Sequence, residues 1–143
     1  MQRRNADLAL QSPEELRAGF VQALARNNPG RAARIATTFV GVSDRLGQMF
    51  DPESLEMLKQ AYDAIPSYKL AKTIGMRLLG DNQLDEAIDY FKQAFAIEPR
   101  AFVAGCLSDI YTKLYQDDEA AKWASQEQEL RDQGYRRAKL RFC

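Results

Sequence analysis

The chain contains no histidine. That removes Ser–His and Cys–His nucleophile pairs and every metal site that includes an imidazole. Its two cysteines, Cys106 and Cys143, are far apart in sequence. They form neither a zinc knot nor a disulfide framework, and leave open only a single bridge between them. Cys106 lies in an apolar helical run and reads as a small core residue; Cys143 ends the chain. Long hydrophobic runs are missing as well. No segment approaches the ~20 apolar residues that cross a bilayer. Leu8-Ala9-Leu10, the apolar stretch near the start, is too short for a signal-peptide core. The expectation is a cytoplasmic protein that does not contact a membrane. Gly30, Gly41, Gly47, Gly75, Gly80 and Gly134 are scattered and build no phosphate-cradling loop. They read as turns or close packing.

Charge of one sign is not in excess: 20 Lys and Arg balance 20 Asp and Glu. This gives the chain no general pull toward nucleic acid or membrane. Basic residues gather only at the ends, as Arg3 and Arg4 and as Arg131, Arg136, Arg137, Lys139 and Arg141. The plain reading of that tail is a solvated end; the sharper one is a contact with an acidic or phosphate-bearing partner.

What the sequence does contain is a folded composition, 45% hydrophobic and 28% charged over 143 residues. A chain of this length buries roughly 70% of the surface its unfolded form exposes. Helix signals dominate and no alternating strand pattern occurs. Ser12-Pro13-Glu14-Glu15 is a helix start with a capping box, followed by Leu16, Phe20 and Leu24 on one face. After a break at Asn27-Asn28-Pro29-Gly30, a second helix runs from Arg31 toward Leu46 with Ala32, Ile35, Ala36 and Phe39 as its stripe. Asp51-Pro52 opens a third, carrying Leu55, Leu58, Tyr62 and Ile65 up to Pro66. The fourth spans 68–79 with Gly80 as its stop, and the fifth spans 84–97, closed by Pro99. A sixth carries Phe102, Cys106, Leu107, Ile110, Tyr111 and Leu114. Asp117 and Asp118 cap a seventh, which carries Ala120, Ala121, Trp123, Ala124 and Leu130 to a stop at Gly134. Short turns predict antiparallel hairpins. The acidic groups Asp81, Asp85, Glu86, Asp89 and Asp117, Asp118, Glu119 lie at helix starts, where the dipole favours them. They lack the glycine and final glutamate of a calcium loop.

Side chains also recur at a spacing of 33. Leu58, Ala61 and Pro66 return as Phe91, Ala94 and Pro99. Ile74, Gly75, Leu78, Ala87 and Phe91 map onto Leu107, Ser108, Tyr111, Ala120 and Ala124. Helix pairs repeating at this period mark a solenoid. With Ile74-Gly75, Leu78, Ala87, Phe91, Ala94 and Pro99, the unit 68–101 resembles a tetratricopeptide repeat. Ala71 stands where that family usually carries a bulky aromatic. The following unit has Asp132 in place of the closing proline and Glu127 in place of alanine, as suits a terminal helix.

The resemblance implies an all-α, right-handed superhelical stack of about seven helices. It divides the chain into a diverged or capping region 1–50, repeat-like pairs 51–134 and a basic tail 135–143. It also implies a concave surface lined by Lys69, Lys72, Met76 and Leu79, with Phe102, Asp109 and Lys113 from the next unit. Met76 stands where a carboxylate clamp would need asparagine, so the surface suits an amphipathic acidic segment of another protein or of a second copy. The expected function is a non-catalytic scaffold, adaptor or chaperone-like module without cofactor or metal. Competing readings are a regulatory or assembly domain of a larger enzyme or secretion complex, and a nucleic-acid binder acting through the basic tail.

Overall fold

A computed structural model describes residues 8, 10–45 and 52–142, with side chains through Gly134. Arg3, Arg4, Leu46, Gly47, Asp51 and Cys143 lie outside the described residues, as do the side chains of Arg136, Arg137, Lys139 and Arg141. Among the described residues there is no strand. Among the described residues seven helices are delimited: α1 Pro13–Ala25, α2 Pro29–Arg45, α3 Pro52–Ala64, α4 Tyr68–Gly80, α5 Leu84–Ile97, α6 Ala101–Lys113 and α7 Asp117–Phe142. They fall into two compact units, residues 1–70 and 71–143, so the division lies inside α4.

In the first unit, the capping box forms as the sequence predicts. Ser12 Oγ accepts from the Glu15 N–H at 3.2 Å, and Glu15 Oε1 accepts from the Ser12 N–H at 3.3 Å. Helix α2 starts two residues earlier than expected, because Pro29 suits a first helical position and Asn28 caps it by accepting from the Arg31 N–H. Gly41 does not interrupt it. Its stripe of Ala32, Ile35, Ala36 and Phe39 is buried against α1, where Leu16, Phe20 and Ala23 face inward. On α3 the buried face is Ser54, Met57, Leu58, Ala61 and Tyr62. Ile65, expected in that stripe, lies just past the helix end and is exposed. The Arg17 guanidinium, on α1, stacks 5.3 Å over the Phe39 ring of α2 and pairs with Glu53 of α3 at 2.6 Å.

The second unit is built around the best-matching hairpin. Gly75 of α4 faces Phe91 of α5, and Ile74, Ala87 and Phe91 are fully buried. A methyl group on Gly75 would lie 2.9–3.0 Å from three ring carbons of Phe91, so this glycine is required by close approach. The next hairpin repeats the crossing with another device. Ser108, 33 residues after Gly75, donates its hydroxyl to the Ala120 carbonyl at 2.9 Å. Ala124, 33 residues after Phe91, is exposed. Trp123 fills the space instead, edge-to-face with Phe95 at 5.1 Å. Ala121, expected in the same stripe, is also exposed.

Three turns share one geometry. The Asn28, Gln83 and Gln116 N–H groups reach back to Ala23, Leu78 and Tyr111 carbonyls, and the residue before each has φ between 55° and 59°. This is the Schellman arrangement, in which a left-handed residue releases the helix. The left-handed position after α4 is Asn82 rather than Gly80, which remains the last helical residue. Gly134 does not stop α7 either. A lone helical glycine costs only about 1 kcal/mol, and the basic and leucine-bearing sequence after it favours the helix, which continues to Phe142.

Candidate functional site

Within the second unit, α4 and α6 present the candidate surface. The core pins the rotation of both helices: Ala71, Ile74 and Leu78 point inward from α4, and Val103, Ala104, Leu107 and Ile110 from α6. Met76 and Phe102 are thereby left facing water, at 47% and 48% exposure. The Lys72 ammonium sits 5.5 Å over the Phe102 ring. Such a cation–π contact is worth about 0.5–1 kcal/mol at an exposed site and fixes the ring as well as the charge. Lys72 and Leu79 are half-buried; Asp109 and Lys113 are exposed.

Cys106 lies on the same helix and is half-buried, not the core residue its apolar surroundings suggest. Its neighbours are polar. Burial pushes its thiol up to about 11, Asp109 and Glu127 push in the same direction, and Lys72 opposes them. The Glu127 carboxylate packs on Gly105, where a methyl group would meet Oε2 at 2.7 Å, and it accepts from Arg131 at 2.7 Å. The glutamate that replaces a small residue of the repeat pattern is thus accommodated by a glycine on the facing helix. Sequence reasoning missed Cys106 and Glu127 because both depend on which residue faces which across the hairpin.

Lys69, the remaining predicted residue, belongs to the first unit. It is exposed and lines a shallow cavity with Ala33, Arg34, Thr37 and Thr38. Among the described residues, this lining includes the side chains of Arg34 and Lys69. The threonine hydroxyls donate to the carbonyls of Ala33 and Arg34 one turn back, which turns their lone pairs outward. Arg34 was not foreseen, since in sequence it is simply one arginine on a helix.

Among the described residues no group of three or more metal-ligating side chains converges, and no helix is long and apolar enough to cross a membrane. No protein-family model matches the chain, and no curated protein matches it in sequence. Solved structures do. MamA AMB-1 (P212121) superposes with a TM-score of 0.69 at 24% identity, covering 84% of this chain and 62% of that one. MamA MSR-1 (C2) gives 0.67 at 23%, covering 85% and 67%. A further crystal structure of MamA gives 0.62 at 15%, covering 87% and 81%. The fold is a tetratricopeptide-like helical solenoid. At these identities the likeness to MamA is one of fold, and the chain spans about two thirds of the length of the first two MamA chains.

Proposed function

We propose that this chain is a non-catalytic protein-interaction module, and that the α4–α6 face of its second unit receives an amphipathic, acidic segment of a partner protein. The observation that carries the reading is the half-exposed Phe102 ring held under the Lys72 ammonium, with exposed Met76 also on α4. An aromatic anchor beside a fixed cation suits a partner helix that offers an apolar side chain and a carboxylate one turn apart. The fold shared with the MamA structures supports a helical-hairpin module. Leu79, Asp109 and Lys113 are assigned to the rim of the surface, where charges set specificity and on-rate more than affinity.

The test is quantitative affinity capture with the wild-type chain and with Lys69→Glu, Lys72→Glu and Phe102→Gln. A partner recovered in stoichiometric amount by the wild type should be lost with Lys72→Glu and Phe102→Gln and weakened with Lys69→Glu. Equal recovery by all four proteins would place the binding surface elsewhere.

A further inference from the structure

The first unit carries a second, chemically opposite depression, which the function proposed above does not use. It lies between α1 and α3 and has a volume of about 340 Å³, lined by Arg17, Phe20, Val21, Glu53, Glu56, Met57 and Gln60. Phe20 and Met57 are buried and form an apolar floor, while Val21 is 67% exposed and forms an apolar wall. The rim is acidic. Gln60 donates to Glu56 at 3.2 Å, which fixes the two side chains along α3. Arg17 at the mouth is matched by Glu53 at 2.6 Å and approached by Glu14 at 3.7 Å. Among the described residues, the carboxylates of Glu53 and Glu56 and the guanidinium of Arg17 therefore line an apolar slot, and Glu14 approaches that guanidinium.

We infer that this cleft is a docking site for a basic amphipathic helix of a partner protein, one that inserts an aliphatic or aromatic side chain and sets Lys or Arg against Glu56 and Glu53. The charge selects the occupant. An acidic helix would bring its carboxylates against the Glu53 and Glu56 rim, whereas a basic one completes a lining whose described residues carry two carboxylates and one guanidinium. The size selects it too. The volume is at the lower end of the ~300–1,000 Å³ of small-molecule pockets and the slot is open along the helices, so it takes a side chain from a helix rather than an enclosed ligand. The inference is independent of the α4–α6 surface and has the opposite charge preference.

The probe is a fluorescein-labelled 14-residue helical peptide of leucine and lysine, with a twin in which glutamate replaces every lysine, each titrated against the full chain by anisotropy. The leucine–lysine peptide should bind saturably and shift the amide resonances of Val21, Met57 and Gln60. Val21→Lys and Glu56→Lys each change an exposed position without touching the core. Each should weaken binding at least about tenfold while leaving the circular dichroism spectrum unchanged, and Lys72→Glu should leave the affinity as it is. The proposal is overturned if the glutamate twin binds equally well, if both first-unit variants bind like wild type, or if the shifts map to Lys72 and Phe102. It is also overturned if the free chain self-associates and Val21→Lys dissolves the oligomer, since the cleft would then be occupied by a second copy.

Discussion

Replacing Gly75 by alanine is the sharpest test of the packing. In a helix interior this substitution normally stabilises by about 1 kcal/mol, because alanine loses less backbone freedom on folding. At Gly75 the added methyl would lie 2.9 Å from Phe91 Cε1 and 3.0 Å from Cδ1 and Cζ. The Phe91 ring is fully buried and has no open side to move into. Overpacking of this kind costs about 1–3 kcal/mol, so the net effect is a destabilisation of about 1 kcal/mol. Gly134 is the internal control: it is also helical, and nothing lies within 4 Å of a methyl placed there. Gly134→Ala should stabilise by about 1 kcal/mol, which puts the two variants about 2 kcal/mol apart. Urea unfolding followed by helical circular dichroism measures both, and about 1 kcal/mol corresponds to about 4 °C in Tm for a chain of this size. In a Phe91→Leu background the cost of Gly75→Ala should shrink, giving a non-zero coupling in a double-mutant cycle. If Gly75→Ala stabilises as much as Gly134→Ala, the backbone of α4 does not rest on that ring and the account of the hairpin is wrong.

Tyr115 is 90% exposed at φ 58°, where the equivalent turns use asparagine; Tyr115→Asn should raise the urea midpoint by the equivalent of about 0.5–1 kcal/mol, and a lowered midpoint would show that the ring makes a stabilising contact. Arg17→Ala removes a stacking contact and an ion pair whose side chains are 42% and 43% exposed; after discounting the pair for solvent, the loss should be about 1 kcal/mol in thermal unfolding, and 1 M NaCl should abolish only the ion-pair part. With Cys143→Ser as background, iodoacetamide should alkylate Cys106 below pH 9 roughly 100-fold more slowly than a free thiol of pKa 9.0, since burial and its carboxylate neighbours hold the thiol near 11. Glu127→Gln should speed that reaction and Lys72→Ala should slow it; an alkylation profile centred near 9 would refute the burial. Because the folded thiol is the more strongly protonated, its contribution to stability is complete below pH 9 and is lost as pH rises toward 11.

The sequence was most legible where local and tertiary signals agreed. Ile74, Gly75, Leu78, Ala87, Phe91 and Ala94 recur at repeat spacing, and all are buried. Proline positions predicted the helix starts at Pro13 and Pro52, because proline both fits a first turn and cannot sit deeper in a helix; Pro29, read as part of a break, opens α2 for the same reason. Glycine was the misleading signal. Gly80 read as a stop and α4 does end there, with Asn82 as the left-handed residue, but Gly134, also read as a stop, does not end α7. A glycine permits a turn without requiring one, and the decision rests with the neighbouring helix formers. Burial at the ends of stripes was also misjudged. Ile65, Ala121 and Ala124 keep the helical period but are exposed. On the candidate surface, the residues were assigned by position in the repeat. The Lys72–Phe102 contact, the Arg34–Lys69 cavity and the Glu127–Gly105 packing needed the facing residue as well, and a one-dimensional pattern does not contain it.

Single exposed apolar side chains are ordinary on protein surfaces and by themselves mark nothing. Phe102 and Met76 differ because the fold gives no reason for them. Val103, Ala104, Leu107 and Ile110 already fix the rotation of α6, and Ala71, Ile74 and Leu78 fix that of α4. A polar residue at 76 or 102 would leave every one of those core contacts in place. About half of the hydrophobic energy of Phe102 is therefore unused in the free chain, and the Lys72 ammonium above it recovers only a fraction of that energy. Covering the remaining half of the ring would yield about 1–2 kcal/mol by area alone, roughly a tenfold gain in affinity from one side chain. Phe102→Gln should thus cost about tenfold in binding, in addition to the roughly 1 kcal/mol of stability that goes with the lost cation–π contact and the half-covered ring, and a loss of stability with no loss of binding would mark Phe102 as a residue kept for the fold.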